Sequence, residues 1–98
     1  MVGGRKIIWA PTALEDLKSG FDYIAVDSPR RAHAWLEHIL KKIEQLNRFS
    51  NRGRVIPEIG KSRYRELIVG EYRIFHEIRE KEILIFRLFH ARRLFNEI

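Results

Sequence analysis

The stretch Arg63-Tyr64-Arg65-Glu66-Leu67-Ile68-Val69-Gly70-Glu71-Tyr72-Arg73-Ile74-Phe75-His76-Glu77-Ile78 decides the fold. Two runs rich in β-branched and aromatic residues flank Gly70-Glu71. A Gly-X pair suits the type II′ turn, which needs a positive φ at its first central residue and joins antiparallel strands. Period two along the second run places Tyr72, Ile74 and Ile78 on one face, the core face. Arg73, Phe75 and Glu77 fall on the other.

Downstream, Glu80-Lys81 is a weaker turn signal. Glu82 to His90 is then nearly continuous apolar sequence, as expected of a strand buried on both faces. Strict alternation along Leu84, Phe86 and Leu88 places His90 with apolar neighbours, unless a bulge or the strand end turns it around. Residues 91–98 form a short basic tail.

Upstream, Arg54-Val55-Ile56-Pro57-Glu58 reads as extended, since proline restricts the residue before it. Asn47 to Gly53 is polar and ends a helix. That helix starts at Ser28-Pro29, a preferred N-cap followed by proline at the first helical position. Its apolar stripe is Ala32, Trp35, Leu36, Ile39, Ile43 and Leu46. An earlier helix carries Leu14, Leu17, Phe21 and Ile24, with Thr12-Ala13-Leu14-Glu15 fitting a capping box. Gly20 weakens it locally by about 1 kcal/mol relative to Ala. The short connection near Val26-Asp27-Ser28 makes the two helices an antiparallel hairpin. Arg5 to Ala10, ending at Pro11, is a first strand.

The order is therefore β-α-α-β-β-β, an α+β fold. The helical hairpin should pack on one face of a small, mainly antiparallel, twisted sheet. The other face would be free to curve around a ligand. Residues 1–98 suffice for one domain.

Composition narrows the function. Hydrophobic residues make up 45% of the chain, enough to fold. With no cysteine, a disulfide framework, a thiolate metal site and a cysteine nucleophile are excluded. No apolar run approaches the roughly 20 residues of a membrane-spanning helix, and the N-terminal run is too short for a signal-peptide core. The expected location is the cytoplasm, with no membrane contact. The net charge is +6. Residues 52–98 hold eleven Lys/Arg against seven Glu, and nine of the eleven are arginine, whose planar fork matches phosphate or carboxylate. Such a domain tends to meet polyanions or acidic proteins.

His33 and His38 are five apart on a helix and do not share a face, and no acidic partner has zinc-ligand spacing. No metal site and no cofactor are expected. Trp9 and Trp35 read as core anchors. Tyr64 and Tyr72 fit core packing better than base stacking. No phosphate-binding glycine loop or nucleophile elbow is present.

Several strings taken together resemble one family. They are Trp9-Ala10-Pro11-Thr12-Ala13, Ser28-Pro29, Gly53-Arg54-Val55-Ile56-Pro57-Glu58, Tyr64-Arg65-Glu66-Leu67, Gly70-Glu71-Tyr72-Arg73-Ile74-Phe75 and Phe89-His90-Ala91-Arg92-Arg93. In this order they are similar to the RelE/ParE toxin superfamily, which includes plasmid stabilisation proteins. The resemblance spans about residues 6 to 95. It implies a toxin of a type II toxin–antitoxin system, neutralised by an antitoxin encoded beside it.

Two mechanistic branches share this fold. RelE-like members enter the ribosomal A site and cut messenger RNA; ParE-like members inhibit DNA gyrase. RNA cleavage needs a base for the 2′-hydroxyl, a cation for the phosphorane-like transition state and an acid for the leaving oxygen. The resemblance assigns these roles to Glu58, Arg73 and His90 respectively. Arg54, Arg65, Arg92 and Arg93 would hold RNA or another target. Each has a structural reading as well: Glu58 paired with an arginine, Arg73 bridged to Glu77 or Glu66, and His90 hydrogen-bonded at a strand end. The tail lacks the tyrosine frequent in ribosome-dependent nucleases, and its Phe89-His90-Ala91-Arg92-Arg93 ending favours the gyrase branch. The expected partners are the antitoxin, presenting an acidic amphipathic helix or extended segment, and gyrase. The alternatives are a ribosome-dependent endoribonuclease acting on ribosome and mRNA, and an inactive antitoxin-binding module.

Overall fold

The computed structural model describes residues 4–92. Strand β1 spans Lys6–Trp9. Helix α1 spans Pro11–Asp27 and helix α2 Pro29–Glu44, which runs into a single 3-10 turn, Gln45–Asn47. Strands β2 (Arg54–Val55), β3 (Tyr64–Val69), β4 (Tyr72–Ile78) and β5 (Glu82–His90) follow. One five-stranded sheet has the order β1-β5-β4-β3-β2. The β1–β5 pair is parallel and the other three pairs are antiparallel. This is the expected α+β fold, with the first strand laid against the last.

The hairpin turn is as its sequence demands. Gly70 has φ +60°, and no residue other than glycine has a positive φ among those described, so only the first turn position is left-handed. The register pairs Leu67 with Ile74 and Ile68 with Arg73.

The helices pack on one face. Ala13, Ile39, Ile43, Leu46, Leu67, Val69, Ile74, Ile83, Ile85 and Leu88 form the main core, with Trp9, Leu17, Trp35 and Tyr72 packed against it. Three helical expectations need correction. Leu14 is half exposed, and the inward line of α1 is Ala13, Leu17, Gly20 and Ile24. The helix starts two residues early, at Pro11. Ala10 occupies the cap and no side chain caps it, so Thr12 and Glu15 lie inside the first turns and form no capping box. The connection is Ser28 alone, which ends α1 through its backbone N–H to Ile24 and caps α2 by accepting from the Arg31 amide at 3.2 Å.

Gly20 has a packing role. A Cβ there would sit 2.7 Å from the Trp35 ring, so its absence lets α1 approach α2.

The second face is not bare. Ile56, Phe75 and Phe89 are buried there, flanked by Ile59, Tyr64 and Phe86. Strand β2 ends at Val55. Ile56 then accepts from the amides of Ile59 and Gly60, folding residues 56–60 into a turn over this second core. Glu58 sits on that turn rather than in an extended strand.

Candidate functional site

Four charged side chains meet on the face away from the helices. Arg73, on central strand β4, donates through Nε to Glu66 at 2.6 Å, and through both terminal nitrogens to the Glu58 carboxylate at 3.1 and 2.9 Å. Arg54 donates to the other oxygen of Glu66. The guanidinium of Arg73 lies over the rings of Phe75, 5.0 Å away, and Phe89, 5.6 Å away. Cross-strand pairing explains the cluster: Arg54 opposes Glu66, and Glu66 opposes Phe75 beside Arg73.

Glu66 is completely buried. A carboxylate there is tolerated because guanidinium groups satisfy both of its oxygens. Arg73 is nearly buried too, and its two-toothed pairing with Glu58 is the strong geometry for a guanidinium. Hydrogen bonds from Arg73 hold the Glu58 carboxyl below its ordinary value, against a smaller opposing effect of burial. The same bonds raise Arg73 above its already high value. Two cations and two anions balance, so this chain is neutral as a unit.

His90 lies elsewhere. Register pairs Arg73 with Phe89 and Tyr72 with His90, and pairing runs from Phe75↔Arg87 to His76↔Ile85, which skips Phe86. Phe86 is thus the extra residue of a bulge. Before it, Leu84 and Phe86 face away from the helices; after it, Leu88 and His90 face toward them. Unbulged alternation would have left His90 on the side of Arg73. Instead its ring meets Tyr72 edge-on at 5.4 Å. Its Nδ1 accepts from the Arg92 amide at 3.2 Å, and its Nε2 is 2.7 Å from a Glu71 oxygen. With Nδ1 accepting from that amide, Nε2 is the nitrogen that donates to Glu71.

Arg65 is on the helix side with His76; it donates to the carbonyl of Ser62, just before β3, and to those of Asn51 and Gly53, which fastens the loop before β2. Arg92 lines a groove with Tyr23, Tyr72 and His90 between α1 and the ends of β4 and β5. Arg93 lies outside the described residues. Glu77 pairs with Arg79 and Arg63, not with Arg73. Glu58, Arg73 and Arg54 are therefore brought together, and His90 and Arg65 are not with them.

Two polar anchors escaped the sequence reading. Asp16 of α1 accepts from Arg87 at 2.7 and 3.1 Å and from the Leu88 amide at 3.0 Å, just beyond the bulge. His76 is fully buried, and burial pushes its pKa down to about 4 against the smaller opposing effect of the Ser50 backbone. Only contact across 71 residues links Asp16 to Arg87, so spacing carries no signal of it. A histidine in a strand's apolar alternation was a usable sign for His76. Among the described residues no group of three or more acidic, His or Cys side chains could hold a metal ion, and no helix is long and apolar enough to cross a membrane.

Two helices on one face of a mixed five-stranded sheet, with the guanidinium–carboxylate chain on the other, define a small α+β fold. A solved structure described as the chromosomal ParDE TA system from P. aeruginosa has the same fold, with a TM-score of 0.74 and 22% identity over 90% of this chain and 97% of that chain. Residues 7–95 match the family described as the ParE toxin of the type II toxin-antitoxin system, parDE, and the chain belongs to that family. No curated protein matches it significantly.

Proposed function

We propose that this toxin arrests growth by the ParE-like route, binding and inhibiting DNA gyrase in the cytoplasm, and that an acidic antitoxin neutralises it. The observation that carries the reading is the separation of His90 from Arg73 and Glu58 by the β5 bulge. General acid–base cleavage of RNA needs its base, phosphate clamp and acid around one phosphodiester. Here the would-be acid lies through the sheet from the would-be clamp. The would-be base is held below its ordinary pKa by that clamp, which weakens it as a proton acceptor. A contact-based toxin needs none of these groups free. The net charge of +6 favours both an acidic antitoxin and association with a nucleoprotein target.

The discriminating experiment adds purified protein to translating ribosomes and maps messenger ends by primer extension. Intact message at concentrations that arrest growth is expected. New cuts in the A-site codon, absent with Arg73→Ala, would replace this reading with the endoribonuclease one.

A further inference from the structure

Arg73 is already occupied as an anion-binding group, and its occupant comes from the same chain. Glu58 meets both terminal nitrogens of the guanidinium, the edge that an incoming anion would take. Behind that edge the site is fixed. Glu66 holds Nε, and the rings of Phe75 and Phe89 form the floor. In front, the Glu58 side chain is 35% exposed, whereas that of Arg73 is 10% exposed. The backbone on either side of Glu58 is anchored by Ile56 and Ile59 in the second core. Release of Glu58 therefore takes a side-chain rotation, with no opening of the turn.

We propose that Glu58 is an intramolecular plug on Arg73, and that a carboxylate from an acidic segment of a protein partner replaces it on binding. The exchange swaps like for like, so the neutral balance with Glu66 and Arg54 is retained and no unpaired charge is left on Arg73. Recessed placement favours a side-chain carboxylate over a phosphodiester, because a carboxylate at the end of a flexible stem reaches a buried guanidinium without flanking sugars. Beside the site, Ile68 opposes Arg73 in the register and is 53% exposed, an apolar step for a neighbouring residue of the same segment. Once released, Glu58 lies in water. The plug thus lowers affinity for any anion that cannot displace it, which selects against weak non-specific polyanion binding. The exchange concerns a protein partner of any kind and stands whether or not gyrase is the target.

The test uses the full chain with an acetylated hexaglutamate peptide and, separately, a hexathymidylate oligonucleotide. The Glu58 carboxyl and the Arg73 Nε–H are followed by NMR. On saturation with the peptide, the Glu58 midpoint should rise toward the usual carboxylate range while the Arg73 Nε–H stays bonded to Glu66. Glu58→Gln, which keeps the side-chain shape, should bind the peptide about tenfold tighter than the natural chain. Equal peptide affinity of the two proteins, or a Glu58 midpoint unmoved by saturating peptide, would overturn the proposal. So would release of Glu58 by the oligonucleotide alone, which would assign the site to nucleic acid.

Discussion

Arg73 and His90 occupy neighbouring strands one register step apart and so face opposite sides of the sheet. Arg73 stands beside Phe89 on the open side; His90 stands beside Tyr72 on the helix side. The extra residue Phe86 sets that register. His90→Ala should therefore leave the Glu58–Arg73–Glu66 pairing unchanged and remove only the contacts to Glu71, Arg92 and Tyr72. Growth arrest on induction should persist within a few-fold, because a half-exposed strand-end contact contributes on the order of 1 kcal/mol. Complete loss of toxicity in a folded His90→Ala protein would restore His90 as a reacting group.

Glu66 is the structural centre of the charged chain. It is wholly buried and joins Arg54 to Arg73. Glu66→Ala should cost about 3 kcal/mol or more, since it strands a nearly buried guanidinium. Urea denaturation at neutral pH measures this. A loss below about 1 kcal/mol would mean that Arg73 readily finds other partners or water.

His76 predicts an acid-sensitive fold. Its pKa is about 4 in the folded protein against an ordinary 6.5, because burial disfavours the cation. Between these values the unfolded chain binds more protons, so stability falls as pH falls. The full contribution is present above about pH 6.5 and is lost progressively toward pH 4, about 3 kcal/mol in all. Glu58, with its lowered value, begins to matter only below its ordinary 4.5. Urea midpoints between pH 7 and 5 should drop for the natural chain and stay nearly flat for His76→Leu. Parallel slopes for the two proteins would remove His76 as the cause.

Gly20→Ala pits helix propensity against packing. Alanine gains about 1 kcal/mol in a helix. Its Cβ would lie 2.7 Å from the Trp35 ring, which is itself packed on Tyr72 at 5.1 Å. Overpacking typically costs about 1–3 kcal/mol, so a net loss of melting temperature is expected. A higher melting temperature would show that the Trp35 ring shifts freely.

The parts legible in the sequence were those set by local chemistry. Gly70-Glu71 allows one kind of turn, which fixed the β3–β4 register and put Arg73 opposite the helix-side core. Ser28-Pro29 marked the start of α2 correctly. The parts that were not legible depend on non-local contacts. Nothing in Ile85-Phe86-Arg87 announces a bulge, and the Leu88 amide just beyond it is met by Asp16, 72 residues earlier. Alternation groups His90 with Leu84, Phe86 and Leu88; the bulge keeps His90 with Leu88 on the helix side and leaves the other two on the far side. Likewise Leu14 and Ala13 both fit an apolar stripe, and the close approach at Gly20 decides between them. The pairing of Arg73 with Glu66 was one of two options left open by alternation, and strand register chose it over Glu77.

The proposed route of action is contact with gyrase. The most direct test is a supercoiling assay with purified DNA gyrase, relaxed plasmid and ATP. Dose-dependent loss of supercoiling is predicted, and it should be retained in folded His90→Ala. Undiminished supercoiling at toxin in large excess over gyrase would contradict the account.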